Sequence, residues 1–244
     1  IRDLCEIQGA RGNMLKGVGL VVGLAGTGDN AGAAVMAQER MLDRLHIDVE
    51  DLGELNSANS AVVVVTATIP AFAKEGTRID VKVDSLYDCE SLEGGTLLET
   101  HLRGPGLGET VYAVAQGPIS VGGFNAAGGG GAAGGAGGAA VQQNHVTAGR
   151  IPMGAHIERE VPSRITDGQR MMLLLKRPDF STADSVQEAI NGKVGDESAI
   201  ALGAGTIRVT IPEAYRSNLV SFIAELEAID VETITHTRVV INER

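Results

Sequence analysis

Gly17-Val18-Gly19-Leu20-Val21-Val22-Gly23-Leu24-Ala25-Gly26-Thr27-Gly28-Asp29 is the stretch on which the reading of this chain turns. Five glycines surround a short apolar run. That pattern predicts a buried strand, Leu20 to Leu24, with a sharp turn at both ends, because glycine permits φ > 0 and close backbone approach. The residues that follow, Ala31 to about His46, read as a helix with Val35, Met41, Leu42 and Leu45 toward one face. Asp29 or Asn30 is placed to cap its first turn. A glycine-rich turn ahead of a helix invites a phosphate-binding reading, since first-turn amides hold anions. The spacing argues otherwise. A dinucleotide fingerprint needs G-x-G-x-x-G after a strand and opening a helix. Here Gly17-x-Gly19 precedes the apolar run, the later glycines are spaced G-x-x-G-x-G, and no Lys-Ser or Lys-Thr pair follows. A strand-turn-helix corner is the better reading, with anion or nucleotide binding at Gly26 to Asp29 as the alternative.

The totals narrow the partners. The chain of 244 residues is 43% hydrophobic and 21% charged, enough for one or two domains with a real core. Aromatics reach only 3%, with no Trp, so the core is built from aliphatic side chains and base-stacking platforms are not expected. A net charge of −11 repels phosphate backbones, and no nucleic-acid partner is expected. No apolar run approaches the roughly 20 residues that span a bilayer. The start, Ile1-Arg2-Asp3-Leu4, reads as mature chain. Cys5 and Cys89 are too few for a disulfide scaffold or a structural zinc site. They either pair with each other in an oxidising compartment or stand as two separate buried thiols.

Along the chain, Leu4, Ile7 and Leu15 are core anchors of a short amphipathic opening. Val62 to Ile69 is β-branched and stopped by Pro70, a strand. Arg78 to Val83 alternates Ile79, Val81 and Val83 with Arg78, Asp80 and Lys82, a half-exposed strand. Thr96 to Leu102, Val111 to Ala115 and Ile119 to Val121 extend the sheet through short glycine turns, mostly antiparallel by loop length. Gly122 to Gly138 is almost wholly Gly and Ala, which predicts a flexible loop, bounded here at 122–140. His156 to Val161 then rejoins the sheet. From Met171 the rhythm changes. A strand at Met171 to Lys176, a helix opened by a capping box at Ser181 to Asp184 and closed by Gly192, and strands at Ser198 to Leu202 and Thr206 to Ile211 come in turn. A helix from Arg216 to Ala228, burying Leu219, Ile223 and Leu226, and a strand from Val231 to Ile241 complete a split β-α-β-β-α-β unit. The expected class is α+β. A strand-rich mixed or antiparallel domain covers 1–165, and the β-α-β-β-α-β domain covers 166–244.

No motif passes for catalysis. His46, His101, His145, His156 and His236 form no H-E-x-x-H or H-x-H pattern, there is no G-x-S-x-G elbow, and neither cysteine lies beside a histidine. No enzyme activity, cofactor or metal is expected.

The quoted stretch resembles the signature of the bacterial flagellar P-ring protein family. So do Val65-Thr66-Ala67-Thr68-Ile69-Pro70-Ala71-Phe72-Ala73-Lys74-Glu75-Gly76 and the Ile79-Asp80-Val81 behind it. Ser91 to Leu98, Val111 to Gly117, Gly149-Arg150-Ile151 with Ile157-Glu158-Arg159-Glu160, and Arg238 to Asn242 match further family blocks in the family's order. The resemblance implies a secreted periplasmic subunit whose copies close into a ring around the flagellar rod and act as a bushing. Its implied partners are further copies of itself, the rod, the L-ring protein, peptidoglycan and a periplasmic P-ring assembly chaperone. The second domain is then expected to resemble ring-building modules, by fold analogy. The rival reading is another periplasmic ring or secretin-like envelope module.

Three departures shape what carries over. Family members continue past residue 244, which reads as a C-terminal truncation. His101 stands where the family commonly has Pro. Glu93 and Glu99 fall where some relatives place basic residues, which leaves Lys74 and Arg103 as the candidates for rod contact.

Overall fold

The computed structural model describes residues 1–44, 57–105, 108–122 and 146–232. The chain divides into two compact units, one formed by Gly12–Val161 and one by Ile1–Arg11 with the described residues from Pro162 onward. The class is α+β, as expected.

The larger unit is a closed barrel of six antiparallel strands. In chain order these are β2 (Asn13–Val22), β3 (Ser60–Ile69), β4 (Arg78–Ser85), β5 (Thr96–Arg103), β6 (Val111–Pro118) and β7 (Ala148–Ile157). Around the barrel they run β2-β3-β4-β7-β6-β5, and β5 pairs with β2 to close it. Strand alternation puts Ala61, Val63, Val65, Ala67 and Ile69 of β3 and Ile79, Val81 and Val83 of β4 inside. Leu15, Val21, Leu97, Leu102, Ala113, Ala115, Ile151, Ala155 and Ile157 fill the remainder. Small aliphatic side chains suit so narrow a lumen, which explains how a chain nearly without aromatics fills its core.

The quoted stretch makes the closure. β2 begins at Asn13, so Gly17 and Gly19 lie inside the strand and no turn precedes the apolar run. A Cβ on Gly17 would strike the His101 carbonyl and Leu102, and one on Gly19 would strike Thr100 Oγ1 and Leu97. These glycines let β5 approach β2 backbone to backbone at the seam. Helix α1 (Gly32–Arg44) lies outside the barrel on β2 and β3, covering Leu20 and Val62 with Ala34 and Gln38. Val35, Met41 and Leu42 are only half-buried beside that line, and Leu45 lies outside the described residues.

β7 departs from expectation. The sequence predicts a strand at His156 to Val161, whereas the observed one is Ala148–Ile157. Pro152 and two glycines mask it, and a register shift opposite Ile79 and Val81 absorbs them as a bulge. Within the bulge Met153 takes φ 52° and its N–H donates to Asp80 Oδ1 at 2.8 Å. Ser120 of the expected Ile119–Val121 strand makes only an isolated bridge to Arg150. Most of the Gly/Ala loop, from residue 123, lies outside the described residues.

The smaller unit is a four-stranded sheet in the order β1-β8-β10-β9, with β1 (Cys5–Ile7), β8 (Arg170–Leu175), β9 (Ala199–Gly203) and β10 (Thr206–Thr210). β8 and β9 both pair antiparallel with the intervening β10, so they are mutually parallel, and α2 (Phe180–Val194) joins them. That is the split βαβ arrangement. α3 (Leu219–Glu227) follows β10, and most of the expected last strand, from residue 233, lies outside the described residues. Residues 1–11 belong here and not with the strand-rich region, because Cys5, Glu6 and Ile7 pair with Leu175, Leu174 and Leu173. Cys5, Met171, Leu173, Leu175, Val186, Ile190, Ile207, Val209, Phe222 and Leu226 make a separate core. Phe222 takes the central place expected of Leu219 and Ile223, which pack at its margin.

Local signals in this unit shift by a few residues. The cap of α2 is Asp179, whose carboxylate accepts from Thr182 N and Thr182 Oγ1, both at 2.7 Å, so the helix opens before the expected Ser181 box. It runs past Gly192 to end at Gly195, which takes φ 132°. Its buried face, Ala183, Val186 and Ile190, is the one expected.

Candidate functional site

The glycine-rich corner between β2 and α1 is filled by the protein itself. Gly28 N donates to Ala58 O at 2.7 Å and Asp29 N to Ser60 O at 2.9 Å. A Cβ on Gly28 would collide with both carbonyls, so glycine is required for this close approach. The Asp29 side chain is fully buried, and its Oδ2 accepts from Val62 N at 2.7 Å. Asp29 therefore ties the corner to β3 and does not cap α1. The amides of Asn30 and Ala31 donate instead to Asp88 Oδ1 at 3.2 and 3.1 Å. The position an anion would occupy holds a carboxylate from 57 to 58 residues away. Four successive amides, Gly28 to Ala31, are thereby taken by the protein's own acceptors.

Burial pushes the Asp29 carboxyl above its ordinary range, and the neighbouring Asp88 charge adds to the rise. Among the described residues, Asp29 Oδ1 and Gln38 Oε1 are buried without hydrogen-bond partners. Cys5 and Cys89, for which the sequence left open a mutual disulfide or two separate thiols, are free and buried, one in each core. Burial raises both above the ordinary thiol value. Cys89 Sγ donates to Ser91 O at 3.3 Å.

Lys74 stands on the turn between β3 and β4, exposed, with Nζ 2.7 Å from Glu160 Oε2. Arg103 ends β5 and pairs across the seam with Lys16 of β2. The two candidates stand on different elements with different neighbours.

Arg103 belongs to a set that the sequence did not disclose. Across the barrel, Arg103 pairs with Lys16, Lys16 with Thr66, Thr66 with Lys82, and Lys82 with Arg150. All four cations point outward and are exposed. Lys82 Nζ contacts Asp84 Oδ1 at 2.9 Å, while Lys16, Arg103 and Arg150 have no ion-pair partner among the described residues. A cavity of about 570 Å³ opens on this wall, lined by Arg78, Lys82 and Arg150 with Asp80 between them and Met14 and Met153 at its sides. Both methionines are more than half exposed. Alternation along β4 disclosed Lys82 as outward. Its lateral neighbours are set by pairing between strands distant in sequence, which no local pattern encodes.

Among the described residues no group of three or more His, Cys, Asp or Glu side chains is arranged to hold a metal. No helix among them is long and apolar enough to cross a membrane.

Residues 1–244 match the family model described as flagellar P-ring protein. The flagellar P-ring protein of Syntrophotalea carbinolica is 43% identical over 246 residues, covering 100% of this chain and 64% of the relative. That of Fervidobacterium nodosum is 42% identical, with 100% and 70% covered, and that of Paramagnetospirillum magneticum 40%, with 100% and 62%. The chain thus spans about two thirds of the length of these relatives. With the family model matched from the first residue to the last, the chain belongs to the flagellar P-ring protein family.

Proposed function

We propose that this chain is a structural part of a flagellar basal-body P-ring subunit, with a mechanical and not a catalytic role. Copies assemble in the periplasm into a closed ring around the rod and serve as a bushing for its rotation. The carrying observation is the family match over the whole chain, joined to relatives at 40–43% identity that bear the P-ring name. Closure by rotation requires heterologous contacts, one surface of a copy meeting a different surface of the next. A bushing holds firmly to its neighbours and weakly to the shaft, so the rod-facing surface is smooth and polar. Lys74 and Arg103 are the proposed rod contacts; the L-ring protein, peptidoglycan and an assembly chaperone are the further partners. The rival anion-binding role is disfavoured by the occupied amides at Gly28 to Ala31.

Electron microscopy of basal bodies from cells with and without the gene tests this. Rods that lose their periplasmic collar, together with lost swimming, are the expected result. Intact collars in the deletion overturn the reading.

A further inference from the structure

The lateral row on the barrel is costly where it stands. Lys16 faces Arg103 and Lys82 faces Arg150 as direct cross-strand neighbours, and like charges so placed repel. The row crosses five strands, about 19 Å of wall at the usual interstrand spacing. It gathers four cations in a chain whose net charge is −11. The only ion pair within it, Lys82 with Asp84, leaves three charges unmatched among the described residues. Beside it the β7 bulge turns Met153 outward, locked by Asp80, and Met14 stands opposite on β2. Charge and adaptable apolar surface are presented together, a combination that suits a protein partner.

The same chain carries the complement. α2 and α3 hold four carboxylates, Asp184, Glu188, Glu225 and Glu227, against a single cation, Lys193. Glu225 accepts from Tyr215 Oη and Glu227 pairs with Arg2, whereas Asp184 and Glu188 are exposed and have no cation partner among the described residues. Phe180 and Val220, 76% and 79% exposed, supply the apolar part of this helical layer.

We propose that Lys16, Lys82 and Arg150 of this row, on the β2-β3-β4-β7 wall with its Met14–Met153 shoulders, are the seat for the acidic α2–α3 layer of a second copy of this chain, with Arg103 on β5 outside that contact. The inference rests on the proposed ring assembly and names the surfaces that meet in it. The two surfaces differ, so the contact is heterologous and propagates from copy to copy.

Self-association of the full-length polypeptide, measured by sedimentation velocity, tests it with Lys16→Glu/Arg150→Glu, with Asp184→Lys/Glu188→Lys, and with all four together. Each pair alone is expected to weaken association at least about tenfold, and the fourfold swap to restore most of it. The milder Lys16→Thr/Arg150→Thr is expected to raise the melting temperature by removing repulsion while still weakening association, which separates a lost contact from a lost fold. Wild type that assembles together with Lys16/Arg150 variants that assemble equally well overturns the proposal and leaves the ring reading standing. Failure of the fourfold swap to rescue overturns the chosen occupant. Lys16→Glu/Arg150→Glu that abolishes binding to purified peptidoglycan sacculi but spares self-association assigns the row to the cell wall, against the proposal. Wild type that does not self-associate overturns the proposed contact, and the basal bodies of the deletion decide the ring reading separately.

Discussion

Asp29 shows how one residue can be placed correctly in sequence and assigned the wrong task. Its type and position suggested a helix cap, yet its carboxylate serves β3 while Asp88 caps α1 from a distant turn. Nothing near Asp29 in the sequence reveals Asp88, because the pairing depends on barrel closure. Its raised pKa has a direction in pH. A carboxyl whose folded pKa lies above its unfolded one stabilises fully below the ordinary carboxylate range and loses that stabilisation as pH rises through the raised value. Asp29→Asn keeps an acceptor for Val62 N and removes the buried charge that desolvation and Asp88 oppose. The variant is expected to melt higher than wild type at pH 8 and to lose that advantage near pH 4, by about 1 kcal/mol in stability. Thermal melts across that range check it.

Elements were legible where their local signal was strong. β3 and β4 announced themselves through β-branching and strict alternation, and the buried face of α2 through its spacing. β7 was hidden by Pro152 and its neighbouring glycines, which a bulge accommodates. α2 opens two residues before the Ser181 box, at Asp179, which follows Pro178 where a turn is as natural as a cap. Removing that cap by Asp179→Ala strips the acceptor from Thr182 N and Oγ1, and a loss of about 1 kcal/mol is expected in chemical denaturation. α2 has a second duty. Asn191 exchanges two hydrogen bonds with the Ala199 backbone, and Gln187 accepts from Ala201 N, so the helix occupies the outer edge of β9. An edge satisfied in this way is closed to further strands, and lateral growth of the sheet past β9 is blocked.

For the whole molecule, loop lengths predicted antiparallel strands but not that six of them close on themselves. Closure was written in Gly17 and Gly19, read as turn residues when they are seam residues. The family blocks made the affiliation legible, whereas the cationic row existed only after the register was known. Charge sets the expected response to salt. Were net repulsion among acidic copies the controlling force, added salt would favour assembly; with a complementary row and helical layer in contact, salt weakens it. Light scattering of the full-length polypeptide is therefore expected to fall between low and physiological ionic strength. A rise would mean that repulsion dominates and the row lies outside the contact.

The pairing of β1 with β8 also fixes an order of events in time. As the chain emerges from its N-terminus, Cys5 to Ile7 come first yet have no partner until Leu173 to Leu175 arrive. Every strand of the barrel lies between them and is complete by Ile157. The barrel can therefore finish while the smaller sheet is still missing its centre. When β8 appears, the segment between it and β1 is already a folded body and no longer a long loose loop, so less entropy remains to be lost in joining them. With the chain emerging in this order, the barrel is expected to mature before the sheet and its acidic helices, so a copy gains its second proposed docking face after its first.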